Sequence, residues 1–316
     1  MLPARGEHLL SGGLADAGFV AQVRQAVLRL HGDACAARRT AAVLWGFDML
    51  HEPDVVELDV PHGHRPPLMD GVVFRQARGS GTALVVPVAG CRALPATSAV
   101  DTVLDCAAEL PLREAVAIAD SALRRGACTR AQLRHAVSAR RGQPFNGRLW
   151  RVVLWCDPRC GSLLESLLRV LLCEADLRPP RAQHRIVDGR VLVGRVDFAW
   201  PEQLLVVEAD GRRWHDPADA RDADRRRDNG CARLGWRVLR FTWAEVVHEP
   251  QRVVAELRAA LSAPVGTPVA GSRRVHDRTA GTGGTTEAPA VTGVRGWTDP
   301  VPAAREPAAL DPSTST

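Results

Sequence analysis

A strand, a tight turn and a second strand are predicted for residues 191–210, which read Val191-Leu192-Val193-Gly194-Arg195-Val196-Asp197-Phe198-Ala199-Trp200-Pro201-Glu202-Gln203-Leu204-Leu205-Val206-Val207-Glu208-Ala209-Asp210. The apolar run before Glu208 suits a central strand buried on both faces. Pro201-Glu202 supplies the turn. Asp197 lies near the end of the first strand, and Glu208 and Asp210 end the second, so pairing through the turn brings these acids close together.

The flanking segments extend this pattern into a unit over residues 160–261. Apolar residues at helix spacing follow Ser162. Arg181–Val187 is a predicted strand, and Asp188-Gly189 is a hairpin turn signal. A polar segment over residues 216–229 leads to a strand over residues 236–241 and a last amphipathic helix. Alternating helices and strands of this kind indicate an α/β fold.

The acids predict a metal site. Carboxylates that lie together repel unless a cation lies between them. Oxygen ligands suit Mg²⁺, and Mn²⁺ accepts a similar set. Such an ion activates water and stabilises charge on a phosphodiester. We therefore predict a metal on Asp197 and Glu208, with Asp210 projecting to the same side as Glu208 because strand side chains alternate.

Other candidates have two interpretations each. Glu165 lies three residues after Ser162, so it is either a capping-box residue or a catalytic acid. His215 is either a general acid or base or an ordinary loop histidine. Arg213 and Arg227 are candidate phosphate contacts, although the arginine run at 225–227 also suits a solvated helix face.

Composition permits nucleic acid as a partner. All 41 basic residues are arginine, and the net charge is +5. Guanidinium groups bind phosphate bidentately and stay charged. The chain has no apolar run long enough for a membrane span and no secretory signal, so we expect a cytoplasmic protein. Its eight cysteines lack zinc-site spacing, which favours buried thiols over zinc or disulfides.

The rest of the chain divides into two parts. Residues 1–150 mix helices with short strands, which predicts a smaller mixed α/β region. Residues 264–316 are rich in Gly, Pro, Thr and Ala without apolar periodicity. Such a composition predicts a disordered tail.

Four motifs carry a family resemblance: Ser162-Leu163-Leu164-Glu165, Gly194-Arg195-Val196-Asp197-Phe198-Ala199-Trp200-Pro201, Val207-Glu208-Ala209-Asp210-Gly211-Arg212-Arg213-Trp214-His215 and Gly235-Trp236-Arg237-Val238-Leu239-Arg240-Phe241. In this order they resemble the DUF559 family, which is similar to the very-short-patch repair endonucleases of the PD-(D/E)xK nuclease superfamily. The resemblance implies a restriction-endonuclease-like fold, with a mixed sheet flanked by helices, and a Mg²⁺-dependent DNA-cleaving site. Asp197 and Glu208 match the metal-binding acids. Asp210 occupies the place of the superfamily lysine, a departure that the DUF559 pattern shares, which leaves His215 as the candidate general base.

The upstream region resembles a second family. Its motifs are Arg39-Thr40-Ala41-Ala42-Val43-Leu44-Trp45-Gly46, Leu94-Pro95-Ala96-Thr97-Ser98-Ala99-Val100-Asp101-Thr102-Val103-Leu104-Asp105 and Glu114-Ala115-Val116-Ala117-Ile118-Ala119-Asp120-Ser121-Ala122-Leu123. They are similar to AbiEi-type antitoxins and transcriptional regulators, which often carry a C-terminal DUF559 domain. Those proteins usually begin with a winged helix, and here the resemblance starts only near Phe19. The resemblance implies DNA and a cognate toxin as partners; the alternative for residues 19–150 is a scaffold.

These observations lead to two functional hypotheses. The first is a metal-dependent DNA endonuclease acting in DNA repair or phage defence. The second is a non-catalytic DNA-binding regulator or antitoxin of a type IV toxin–antitoxin system. A defence component that acts only with a partner protein is a third reading. The oligomeric state is left open.

Overall fold

The computed structural model describes residues 16–31, 33–77, 84–86, 93–211 and 218–265. Its helices are α1 (Ala17–Arg29), α2 (Arg38–Leu44), α3 (Ala99–Glu109), α4 (Leu112–Arg124), α5 (Arg130–Ala139), α6 (Asn146–Trp155), α7 (Leu163–Glu174), α8 (Ala218–Arg233), α9 (Trp243–His248) and α10 (Pro250–Ser262). Its strands are β1 (Cys35–Ala36), β2 (Val56–Val60), β3 (Val72–Gln76), β4 (Leu84–Val86), β5 (Leu94–Ala96), β6 (Arg181–Asp188), β7 (Val191–Trp200), β8 (Leu205–Asp210) and β9 (Arg237–Thr242). Two mixed sheets flanked by helices result, which confirms the predicted fold class.

The first sheet belongs to the N-terminal region and has the order β3-β2-β1-β5-β4. Strand β1 pairs antiparallel with β2 and parallel with β5, so this sheet is mixed. Every residue of β2 is buried, including Glu57 and Asp59. Acids at such positions require partners inside the protein.

The second sheet has the order β6-β7-β8-β9, with β6, β7 and β8 antiparallel and β9 parallel to β8. The hairpin predicted around Asp188-Gly189 is confirmed, and the turn at Pro201 is a short 3₁₀ helix over Pro201–Gln203. Residues Leu205, Val206 and Val207 have no exposed surface, as expected for a central strand.

Helix α7 forms the core against one face of this sheet. The Ser162 hydroxyl accepts a hydrogen bond from the Glu165 N–H and starts the helix. All residues from Leu163 to Cys173 are buried. Each buried leucine contributes about 1.5–3 kcal/mol. A helix with so many buried leucines has to be enclosed, here between the second sheet and helix α4.

Helices α4 and α7 join the two predicted regions. Ala117 of α4 packs in the core of the second sheet, and Val170 of α7 packs in the core of the helical region before it. Arg169 Nη2 donates to Asp120 Oδ2 at 2.9 Å, and both side chains are at least nine-tenths buried. The described residues form one compact unit. The domain boundaries at 150 and 160 remain a prediction.

Three sequence expectations fall wholly or mostly outside the described residues. These are the start of the N-terminal region before residue 16, the segment 212–217, and the tail after residue 265. Among the described helices, none combines the length and the apolar character that a membrane span requires.

Candidate functional site

Asp197 and Glu208 lie where β7 and β8 stop pairing. The ladder between these strands ends at Phe198 and Val207, and the next residue on each strand is one of the two acids. Asp197 Oδ2 accepts a hydrogen bond at 2.9 Å from the Ala209 N–H, which has no strand partner on β7 at this point. The predicted juxtaposition therefore exists, and a backbone donor orients one of its two carboxylates.

Glu165 joins this pair from the first turn of α7. Its backbone N–H is capped by Ser162, but its carboxylate is used elsewhere. Glu165 Oε2 accepts from the Gly161 N–H at 2.8 Å and from Gln183 Nε2 at 2.8 Å. Only 7% of the residue is exposed. Helix capping alone therefore does not account for Glu165.

Gln183, which is not among the residues predicted from the sequence, links two of the acids. Its Nε2 donates to Glu165 and lies 3.4 Å from Asp197 Oδ1. The backbone φ is +52°, in the left-handed region that costs a residue with a side chain about 1–3 kcal/mol. Ala182 and His184 pair regularly with β7, while Gln183 between them does not. The distorted strand thus holds an amide donor between two carboxylates.

A register shift between β6 and β7 explains why the sequence pattern does not place Gln183 opposite Asp197. Counting back from the Asp188–Val191 pair places Ala182 opposite Asp197. A bulge between Ile186 and Val187 moves the register by one residue and places Gln183 there instead. Bulges next to functional sites change the direction of a side chain in this way. No local sequence pattern predicts the bulge at Ile186 and Val187.

The negative charge of Asp197 acts on both Glu165 and Glu208. Burial, with the negative charge of Asp197, raises the pKa of Glu208 to about 7. The same two causes raise the pKa of Glu165 above its ordinary value. Burial also raises the pKa of Asp197, although the Ala209 N–H and the charge of Arg227 act against it. Each acid is thus costly to ionise without a further cation.

Arg227 is the cation nearest to Glu208 among the described ion pairs. Its Nη2 lies 3.7 Å from Glu208 Oε1 and 3.3 Å from Asp224 Oδ1. The Arg227 side chain packs on β7 at Gly194, where an added Cβ would lie 2.6 Å from Arg227 Cγ. Glycine at this position lets α8 approach the strand and bring Arg227 to the site.

The N-terminal region holds the loop in front of Glu165. Arg124 Nη1 of α4 donates to the Cys160 carbonyl at 2.7 Å. Arg169 Nε donates to Cys160 Sγ at 3.2 Å. Asp120 Oδ1 accepts from the Asp157 N–H at 2.5 Å. Because Gly161 follows directly and donates to Glu165, residues of α4 help to position this acid.

The donor set fits a divalent cation held by two carboxylates. The Glu208 side chain is 12% exposed, and it makes no hydrogen bond to a described residue. Its oxygens therefore have capacity for a metal and for water. Within the described ranges, no group of three or more His, Cys, Asp or Glu side chains is arranged around a single ion position. A two-carboxylate site completed by water agrees with the habits of Mg²⁺.

Of the remaining predicted site residues, the structure describes Asp210 but not Arg213 or His215. Asp210 is the last residue of β8, two positions beyond Glu208, in register with Thr242. Arg213 and His215 lie in the segment 212–217, outside the described residues. Their roles in phosphate binding and proton transfer remain predictions.

A family model places strands β7 and β8, with Asp197 and Glu208, in a nuclease-like domain. The restriction-endonuclease-like family model REase_MTES_1575 matches residues 185–261. A solved structure titled Homing Endonuclease I-Bth0305I Catalytic Domain is 22% identical, with a TM-score of 0.25, over 31% of this chain and 91% of that one. The family model confirms the restriction-endonuclease-like part of the sequence resemblance. The antitoxin-like N-terminal resemblance remains a prediction.

Two relatives cover most of the chain. They are the uncharacterized proteins Rv2248 and MT2308, from the H37Rv and CDC 1551 / Oshkosh strains of Mycobacterium tuberculosis. Each is 30% identical over 226 residues, which is 72% of this chain and 80% of the relative. This chain, with its restriction-endonuclease-like domain, belongs to the family of these mycobacterial proteins.

Proposed function

We propose that this protein is a metal-dependent DNA endonuclease that holds Mg²⁺ or Mn²⁺ on Asp197 and Glu208. The observation that carries the proposal is that Asp197 and Glu208 lie side by side where β7 and β8 part, with the Gln183 amide shared between Asp197 and Glu165. Burying neighbouring acids without a matching cation opposes folding, which a functional ion would offset. The restriction-endonuclease-like family match over the same strands supports this chemistry.

Each residue has a defined task in the proposed reaction. Asp197 and Glu208 hold the ion, which when bound supplies a Lewis acid and an activated water. Gln183 fixes Asp197 against Glu165 through its amide. Arg227, beside Glu208, neutralises phosphate charge, and Arg213 is proposed to do the same. His215 is proposed to transfer the proton, and Asp210 stands close to Glu208 on the same strand.

Plasmid nicking tests the proposal. Supercoiled DNA is incubated with the wild type in Mg²⁺ or Mn²⁺, with Glu208→Ala, and with Glu202→Ala as a matched control. Glu202 lies at the turn, where it contacts Arg178 and Arg181 and not the site. A metal ion supplies several kcal/mol of transition-state stabilisation, so Glu208→Ala is expected to slow cleavage by about 10³-fold.

The outcomes separate the hypotheses. Cleavage by the wild type and Glu202→Ala, with loss in Glu208→Ala and retained DNA binding, supports the endonuclease. A wild type that binds DNA but cleaves in neither metal contradicts it and favours the non-catalytic regulator. Cleavage that begins only when a partner protein is added indicates a component of a larger defence system.

A further inference from the structure

The outer part of the β6–β7 hairpin, residues 185–195, carries exposed charge and exposed apolar surface side by side. Arg185 and Arg195 face each other directly across the two strands, and both are exposed. Beyond them lies the hairpin tip, which we define as residues 187–192. Its apolar side chains are exposed by 54% at Val187, 68% at Val191 and 48% at Leu192.

The arginine pair is unfavourable in the isolated protein. Like charges directly opposite each other on antiparallel strands are destabilising. In the part of the chain that the structure describes, neither Arg185 nor Arg195 has a carboxylate oxygen within 4.0 Å. An anion that lies across both guanidinium groups would relieve this repulsion. Phosphate suits the role because guanidinium binds it bidentately.

The pair of Arg185 and Arg195 lies next to the candidate site, because Arg195 and Asp197 are on the same strand. The neighbours Ile186 and Val196 are buried in the cluster around Cys231 of α8. Because strand side chains alternate, Arg185 and Arg195 project from the opposite face. Arg195 is two residues from Asp197, about 7 Å along the strand, and its charge acts on Asp197. A backbone phosphate on this pair would therefore neighbour one at the acids.

Along β7 the hairpin tip continues away from the site, with Leu192 and Val191 three and four residues beyond Arg195. Val191 is about 20 Å from Asp197 along β7. That length exceeds the width of the major groove of a duplex, about 12 Å, so the tip can reach a groove while the acids face the backbone. Apolar side chains at such tips contact thymine methyl groups or wedge between base steps.

The charge pattern selects one occupant. A symmetric contact with a second copy would bring two arginine pairs together, because such interfaces use the same patch twice. Arg190 in the turn adds a further exposed positive charge. Double-stranded DNA supplies both the phosphates for the arginines and the groove for the tip.

We propose that residues 185–195 form the duplex-binding element of this protein. Arg185 and Arg195 bind backbone phosphates next to the cleaved one, and Val187, Val191 and Leu192 enter the adjacent groove. This inference rests on the proposed function, since the substrate is the same DNA. It adds the element that grips the duplex and its orientation relative to Asp197.

Fluorescence anisotropy with a labelled 30-base-pair duplex in EDTA tests the element without cleavage. The variant Arg185→Ala with Arg195→Ala is compared with Arg134→Ala with Arg141→Ala, which removes the same charge from exposed positions on the helical side. Each phosphate contact contributes about 0.9 to the slope of log affinity against log salt. We expect the hairpin variant to lose about 1.8 of this slope and at least about tenfold in affinity, and the control to match the wild type.

A second variant separates groove contact from charge. Val191→Ser with Leu192→Ser is expected to weaken duplex binding while leaving the salt slope unchanged. All substituted side chains are exposed, so circular dichroism and melting temperature should match the wild type. An arginine variant with wild-type affinity and slope overturns the inference. So does a wild type that does not bind duplex, or a tip variant whose only effect is to dissociate a dimer in ultracentrifugation.

The two proposals can fail separately. If the wild type binds duplex through the hairpin but never nicks plasmid, the endonuclease proposal fails and the duplex-binding element stands. If the wild type nicks plasmid and the arginine variant binds normally, the element is wrong and the endonuclease stands.

Discussion

Both sheets of this protein bury acids, but they neutralise them differently. In the first sheet, Arg38 is 3% exposed and its Nη1 donates to Asp59 Oδ1 at 2.7 Å, while its Nε donates to Glu109 Oε1 at 3.1 Å. In the second sheet, among the residues that the structure describes, the cation paired with Glu208 is Arg227 at 3.7 Å, and Asp197 accepts a hydrogen bond from the Ala209 N–H. The first cluster contains its own hydrogen-bonded cation, whereas the described residues around the second place their nearest paired cation at 3.7 Å.

Strain accompanies both clusters. Arg38 and Gln183 each have φ at +52°, a conformation that side-chain-bearing residues rarely adopt. One delivers a cation to buried acids and the other delivers an amide. A strained backbone conformation of this kind persists only when the contacts around it are strong enough to maintain it. Arg38 supplies positive charge to the acids of the first sheet, whereas Gln183 orients Glu165 and Asp197 without adding charge.

The largest expected effect comes from removing the internal cation. Arg38→Ala leaves Asp59 buried without its partner, so we expect a loss of about 3–5 kcal/mol in the free energy of unfolding. Urea denaturation measures it. Arg233→Ala is the matched control, because Arg233 and Asp188 form an ion pair at 3.4 Å whose side chains are 67% and 49% exposed.

The contrast between the two sheets is contradicted if Arg38→Ala and its control lose similar free energies of unfolding. A loss below about 1 kcal/mol for Arg38→Ala, the size of a surface pair, would mean that this cluster is no better compensated than the acids of the second sheet.

A smaller effect of opposite sign is expected at Glu208. Its pKa is raised from about 4.5 to about 7 in the folded chain, so ionisation is disfavoured there. The stabilising contribution of the protonated acid is complete below the unfolded value and is lost as pH rises through 7. Glu208→Gln should therefore stabilise the metal-free protein at pH 8, by about 2 kcal/mol more than at pH 5.

Urea denaturation in EDTA at the two pH values checks this expectation, with Glu202→Gln as an exposed control. In saturating Mg²⁺ at pH 8, the wild type should become more stable than Glu208→Gln, because only the wild type keeps both carboxylates for the ion. A Glu208→Gln variant that is less stable than the wild type at pH 8 in EDTA would show that Glu208 is already compensated within the protein.

The smallest effect is expected at Gln183. Gln183→Ala removes the donor shared by Glu165 and Asp197, and Asp197 keeps the Ala209 N–H. Loss of such an orienting partner typically costs about 10–100-fold in metal affinity or activity. Initial nicking rates over a range of Mg²⁺ concentrations should show a higher half-saturating Mg²⁺ and about tenfold slower cleavage. Unchanged rates and an unchanged Mg²⁺ dependence would leave Gln183 with only a structural role.

The two regions were also unequally predictable from sequence. The β6–β7 hairpin follows from local signals, since alternation and the Asp188-Gly189 turn determine it within a few residues. Strand β1 is two residues long and exists only through pairing with β2 and β5, so no local pattern marks it. Helix α6 over Asn146–Trp155 is not among the elements predicted from the sequence. It begins after Phe145 without a side-chain cap, although its apolar face packs in the helical core.

The candidate site shows the same division. Asp197 and Glu208 could be identified because they lie on two strands that are consecutive in the chain and pair with each other. Gln183 depends on a bulge, and the loop at Cys160 depends on Arg124 from a helix 36 residues earlier. Contacts of that kind arise from tertiary packing, which local spacing does not encode.

Calorimetric titration of Mn²⁺ into the metal-free protein at pH 8 tests the metal site most directly. The wild type should bind the ion, Asp197→Asn should lose at least about tenfold in affinity, equal to about 1.4 kcal/mol, and Asp188→Asn, an exposed aspartate on β6, should bind as the wild type does. Binding of equal strength in all three chains, or none in the wild type, would contradict a metal site on Asp197 and Glu208.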